Sequence, residues 1–179
     1  MTDEALKACE PSSGLQLDRR TIGVIVRFAI YFAVFDAAVF WLLGHTGSFI
    51  WLQDLTARVA AGLTAWSGVA ASAVGSSIFL PNRTLFIGAD CTGIFLAGML
   101  AALVLAYPVK WRMRLLGVLG GVALLLLANF ARLVAVAHLS VAAPSLFQVA
   151  HDFLFQVGMV LVVAAIWMGW LAAARRHAR

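Results

Sequence analysis

The sequence of 179 residues is 63% hydrophobic and only 12% charged. A soluble domain carries about 25% charged residues, so the composition excludes an ordinary soluble fold and points to a membrane protein of one domain with a few spans. The net charge is +5, but the basic residues sit in short clusters beside apolar runs, as membrane topology requires, which argues against nucleic acid as a partner.

In chain order, residues 1–20 form a polar tail containing Glu10-Pro11-Ser12-Ser13-Gly14, with Cys9 inside it and no role expected for that thiol. Arg19 and Arg20 precede an apolar run, Thr21–Leu43. That run exceeds the roughly 7–15 residues of a signal-peptide core, no small-x-small cleavage site follows it, and it reads as an uncleaved first span. Three more runs read as spans: Cys91–Tyr107, Leu115–Leu139 and Phe153–Leu171. Between the first and second lies Ser48–Val74, apolar but interrupted by Gln53, Asp54 and Arg58. Its Leu52, Leu55, Val59, Leu63 and Trp66 recur at helical spacing, which predicts an amphipathic helix at the membrane interface. Two β-prone runs then flank Pro81-Asn82-Arg83 and predict a small hairpin.

The expected fold is therefore an all-α polytopic membrane protein with four transmembrane helices, an outer interfacial helix and a small β-hairpin. Its organisation is a cytoplasmic tail at 1–20, a single membrane domain at 21–174 and a basic cytoplasmic tail at 175–179. Four spans place Lys7, Arg19, Arg20, Arg27, Lys110, Arg112, Arg114, Arg175, Arg176 and Arg179 on the cytoplasmic side. A fifth span would move two of those clusters outside and break the positive-inside rule. The expected location is the plasma (inner) membrane with both termini cytoplasmic.

Depth follows from the helical rise of about 1.5 Å per residue. Cys91 lies about 24 Å above Tyr107, Arg132 about 25 Å above Leu115, and His151 about 28 Å above Trp170. Three antiparallel spans thus bring a thiol, a guanidinium and an imidazole to a similar outer depth. Asp36, about 24 Å above Arg20, lies there too and is the candidate partner of Arg132. An arginine within a span is costly and usually faces the protein interior or water; the alternative is that Arg132 snorkels to lipid phosphate. Asn129 shares its helix face at i, i+3. Cys91 opens an apolar run, where a helix N-terminus favours the thiolate. His138 competes with His151, but it stands at i+6 from Arg132, on another part of the helix surface. His45 and His177 show that histidine also occurs elsewhere in the chain. There is no credible metal-ligand cluster, and no cofactor is expected.

Asp90-Cys91-Thr92-Gly93 at the start of one span, Asn129-Phe130-Ala131-Arg132 late in the next and Ala150-His151 at the start of the last together resemble the exosortase/archaeosortase family. Its members carry Cys, Arg and His in this order on successive spans, and the resemblance covers roughly Leu63 to Trp170. Family members often have Glu and Ser around the cysteine, where this chain has Asp90 and Thr92. The resemblance implies a cysteine peptidase/transpeptidase. Cys91 would form an acyl-enzyme, His151 would act as general acid and base, and Arg132 would stabilise the oxyanion, with Asp90 and Asn129 of the same motifs, and Asp36 by its depth, in support. The implied partners are exported proteins with a C-terminal motif, one transmembrane helix and a basic cluster, cleaved at the outer membrane face. The competing class is a non-catalytic assembly or docking protein of a surface-export system, against which the intact Cys/Arg/His set argues. The topology is checked by reporter fusions: a fusion after Ala178 should read cytoplasmic and one near Asn82 external.

Overall fold

Residues 19–46, 49–149 and 155–176 are described by a computed structural model. They form α1 (Arg19–Thr46), α2 (Ile50–Trp66), β1 (Ser72–Val74), β2 (Ser77–Leu80), β3 (Arg83–Phe86), a 3-10 turn (Ala89–Thr92), α3 (Ile94–Ala106), α4 (Trp111–Ala142), α5 (Pro144–Val149) and α6 (Phe155–Arg176). The protein is a multi-pass, mainly helical membrane protein. Among the described residues three helices, Thr21–His45, Trp111–Ala142 and Gln156–Arg176, are long and apolar enough to cross a membrane.

The second expected span is shorter than the sequence suggests. Gly93 has a left-handed φ of 81°, which separates the 3-10 turn from the helix behind it. Tyr107 is extended (ψ 133°) because it precedes Pro108. The helix left between them has 13 residues and is about 20 Å long, less than the ~30 Å of a hydrocarbon core. It packs against α1, α4 and α6, and these neighbours flank the short helix.

The packing fixes the directions of the helices. Late in α1, Phe40 packs at a tilt on Phe95 early in α3, with ring centroids 5.5 Å apart. At the opposite end, Trp170 Nε1 donates to the Met113 carbonyl at 3.0 Å, and Tyr107 meets the Trp170 ring edge-on. Lys110, Arg112, Arg114, Arg175 and Arg176 belong to this second end. Buried positions on α4 recur every fourth residue, at Gly117, Gly121, Leu125, Asn129 and Leu133, so one stripe of α4 faces the bundle along its length.

Apolar burial falls in two clusters. One joins Leu100, Val104, Leu125, Met159 and Val163 from α3, α4 and α6. The other joins Ala57, Ala60 and Ala61 of α2 to Ile78 and Leu80 of β2, to Ile87, and to Leu133 and Ala137 of α4. The α2 helix presents small residues to this cluster, while Trp51, Leu55, Val59, Leu63 and Trp66 stay exposed. It therefore has an apolar outer stripe of the kind expected for an interfacial helix.

That helix ends at Trp66, short of the expected Val74. The residues after it make a strand that the sequence reading did not separate. The hairpin forms as expected from β2 and β3 around Pro81-Asn82, with Leu80 opposite Arg83. β1 adds to its other side, giving the order β1-β2-β3.

Close contact between α1 and α3 depends on Gly98. A Cβ there would lie 2.0 Å from the Phe35 ring, so Gly98→Ala should destabilise the protein by about 1–3 kcal/mol through overpacking. Thermal unfolding in detergent should show this loss and its partial recovery in a Gly98→Ala/Phe35→Ala double variant.

Candidate active site

The 3-10 turn exists because the chain before α3 finds its hydrogen bonds locally. The Cys91 amide donates to the Gly88 carbonyl at 3.1 Å. The Thr92 hydroxyl donates to the Ala89 carbonyl at 2.6 Å and accepts from the Ile94 amide at 3.3 Å. The expectation that Cys91 itself opens the helix is corrected by about a turn: Gly93 caps α3, and Cys91 stands before the cap.

A longer-range bond holds the turn in place. Asn129 of α4 is 1% exposed, and its Nδ2 donates to the Cys91 carbonyl at 2.8 Å. A Cβ on Gly93 would touch the same amide at 3.4 Å, so the left-handed glycine also makes room for Asn129. Asn129 is thus placed behind Cys91 and positions its backbone, while its Oδ1 is buried without a hydrogen-bond partner.

The Cys91 side chain, half-buried and a free thiol, lines a cleft of about 460 Å³. Around that cleft stand Asp36 and Phe40 of α1, Asp90, Phe95 and Leu96, Arg132 of α4, and Gln156, Met159 and Val160 of α6. Cys91, Arg132, Asp36 and Asp90, all chosen from the sequence, are therefore brought to one cleft. Asp36 and Arg132 share it without a direct ion pair; among the described residues Asp36 Oδ1 and Arg132 Nε, both buried atoms, have no hydrogen-bond partner. Both side chains are half-buried, and a carboxylate oxygen or guanidinium nitrogen withdrawn from water gains from a polar group that enters the cleft.

His151 and Cys9 lie outside the described residues. His138 is described, and its Nε2 is 2.7 Å from the Ser67 hydroxyl at the end of α2. It is not among the residues lining the cleft. Gln156 was missed by the sequence reading; the signal for it was an amide in an otherwise apolar span. Among the described residues no group of His, Cys, Asp and Glu is placed to hold a metal ion.

The fold and the cleft define a polytopic membrane protein that presents a thiol and a guanidinium at one end of its bundle. The family model for transmembrane exosortases matches residues 19–171, and the chain belongs to that family of membrane protein-sorting transpeptidases. No curated protein and no solved structure shows significant similarity to the chain.

Because, among the described residues, only Asn129 supplies a side-chain donor to the Cys91 carbonyl, Asn129→Leu should cost about 1–3 kcal/mol, the usual price of a polar group left unpaired. A lowered thermal midpoint together with faster maleimide labelling of Cys91 is the expected result.

Proposed function

We propose that the protein is a cysteine peptidase/transpeptidase that cleaves a C-terminal sorting signal from exported, membrane-tethered proteins at the outer face of the plasma (inner) membrane. The observation that carries this reading is that Cys91 and Arg132, from separate elements, line one cleft that also borders membrane-spanning helices. Membership of the transmembrane exosortases supports the same chemistry. The clustering of basic residues at the opposite end of the bundle favours a cytoplasmic location for that end and for both termini. In this reading residues 21–174 act as one membrane domain between two cytoplasmic tails.

In the reaction, the Cys91 thiolate attacks the scissile carbonyl carbon and gives a tetrahedral oxyanion. The Arg132 guanidinium stabilises that charge in a site with little water to screen it. The C–N bond breaks as His151 gives a proton to the departing amine, leaving a thioester on Cys91. An acceptor, water or an amine, then loses its proton to His151 and attacks the thioester, which restores the thiolate. Asp36 and Asp90 offset the charge of Arg132 and shape the cleft. The substrate's own transmembrane helix lies beside the enzyme with its basic end in the cytoplasm, which lifts the motif to the depth of Cys91.

The test uses a co-encoded exported protein carrying a C-terminal motif, a transmembrane helix and a basic cluster. Its processing should disappear with Cys91→Ala, a change of small residue for small residue that leaves the protein folded. Arg132→Lys should slow processing by about 10²–10³, since an ammonium does not reproduce the guanidinium fork. His151→Ala should be inactive and His138→Ala active. Processing at the wild-type rate by Cys91→Ala would remove the nucleophile and leave a docking protein of a surface-export system as the better reading.

A further inference from the structure

We propose that the free edge of β3 binds the acyl-side segment of the substrate as a fourth strand and leads it to Cys91. The proposal rests on Cys91 being the nucleophile. It assigns a peptide-binding site beside that nucleophile, separate from the cleft containing Arg132.

Cys91 lines a second cleft, of about 250 Å³. Its wall is the unbroken run Arg83, Thr84, Leu85, Phe86 and Ile87, faced by Leu133 and Phe147. Successive residues of a strand point to opposite faces of the sheet. A hollow lined by consecutive residues therefore follows the edge of the strand and not one face.

That edge carries unused backbone groups. Among the described residues β3 pairs only with β2. The Ile87 amide donates to the Ser76 carbonyl at 2.8 Å, and Leu85 and Arg83 stand opposite Ile78 and Leu80. In an antiparallel ladder alternate residues turn their main-chain groups to the partner. Arg83, Leu85 and Ile87 are thus spent on β2, and the amides and carbonyls of Thr84 and Phe86 face the open side. Such an edge is a template for an added strand.

The occupant follows from the other cleft. The cleft at Arg132 is bordered by Phe40, Phe95, Met159 and Val160 of the membrane helices, which suits the leaving side of the substrate and the helix attached to it. The acyl side must depart from Cys91 in another direction, and the β3 edge ends three residues before the 3-10 turn begins. An extended tripeptide covers about 10 Å at ~3.3 Å per residue, enough to pass Thr84 and Phe86. The Arg83 guanidinium lies 4.4 Å from the Phe147 ring centroid and holds α5 beside the far end of the groove.

The test uses the full-length protein with Cys9→Ser, so that Cys91 is the sole thiol. The probe is alanyl-alanyl-alanyl chloromethyl ketone, from which the Cys91 sulfur displaces chloride to form a thioether. Two analogues carry an N-methyl group on the first or the second residue, and iodoacetamide serves as the peptide-free reagent. Strand pairing predicts an alternating pattern: one N-methyl analogue labels about tenfold more slowly than the parent, the worth of one or two net backbone hydrogen bonds, and the other matches it. Thr84→Pro replaces an outward amide that the ladder to β2 does not use with a ring standing on the open edge, where it blocks an added strand, and it should erase the difference. Thr84→Val should preserve it, and iodoacetamide should label all these proteins equally. If Thr84→Pro also alters iodoacetamide labelling, the hairpin is disturbed and the alternation in the wild-type and Thr84→Val proteins decides. Equal rates for the parent and both analogues overturn the edge site while leaving Cys91 as the nucleophile. A Cys91→Ala variant that still processes substrate overturns the parent reading and this proposal with it.

Discussion

Where α4 passes the turn before α3, the Asn129 side chain donates to the Cys91 carbonyl at 2.8 Å. Much of the site depends on that bond. Its donor is 1% exposed, in surroundings where an amide or carbonyl without a partner costs about 2–7 kcal/mol depending on the reference state. The turn and the helix are therefore held together by the penalty for separating them. Arg132 follows Asn129 by one helical turn, and helix geometry fixes the offset between them at about 4.5 Å along the axis. One rigid helix thus sets the height of the thiol through Asn129 and the height of the guanidinium through Arg132. The i, i+3 pair divides its labour: one member supports the turn from behind, and the other lines the open cleft.

The shortness of α3 belongs to the same arrangement. A full-length span continuing through residue 91 would put Cys91 in a regular helix, with its amide and carbonyl in the helical ladder. The left-handed Gly93 interrupts that ladder, which frees the Cys91 carbonyl for Asn129. The irregular backbone packs against α2, α3 and α4, with Thr92 and Gly93 buried, and contact with protein is the condition under which non-helical chain is tolerated at membrane depth.

Much of this was legible in the sequence because the bilayer fixes a common ruler. Counting residues along antiparallel spans gave the relative depths of Asp36, Cys91 and Arg132, and the three share one cleft. Polar residues in apolar runs are few, so Asn129 was also conspicuous, although its partner was not. Side-chain facing across helices depends on rotation about each axis, which residue counting does not give, and this is why the direct Asp36–Arg132 pair expected from depth is not formed. Gly93 reads as an ordinary glycine until its φ is known. β1 was hidden because Ser72–Val74 continues the small, apolar composition of the stretch before it. The expected role of Ala150-His151 lies on residues outside those described.

Cys91 stands between two kinds of packing. Its turn is supported on one side by the cluster that joins α2, the sheet and the far half of α4, and on the other by the membrane bundle. A substrate that is part water-exposed chain and part transmembrane helix has the same two-sided character. The residue at which the protein changes from sheet to span is the one place where both parts of such a substrate meet surfaces of matching polarity at once. A thiol placed deeper would face only apolar chain, and one placed out on the sheet would be reached only by chain already clear of the membrane. Under the proposed function, such a seam would favour peptide bonds just above a span, and the Asn129 hydrogen bond holds the Cys91 turn at it.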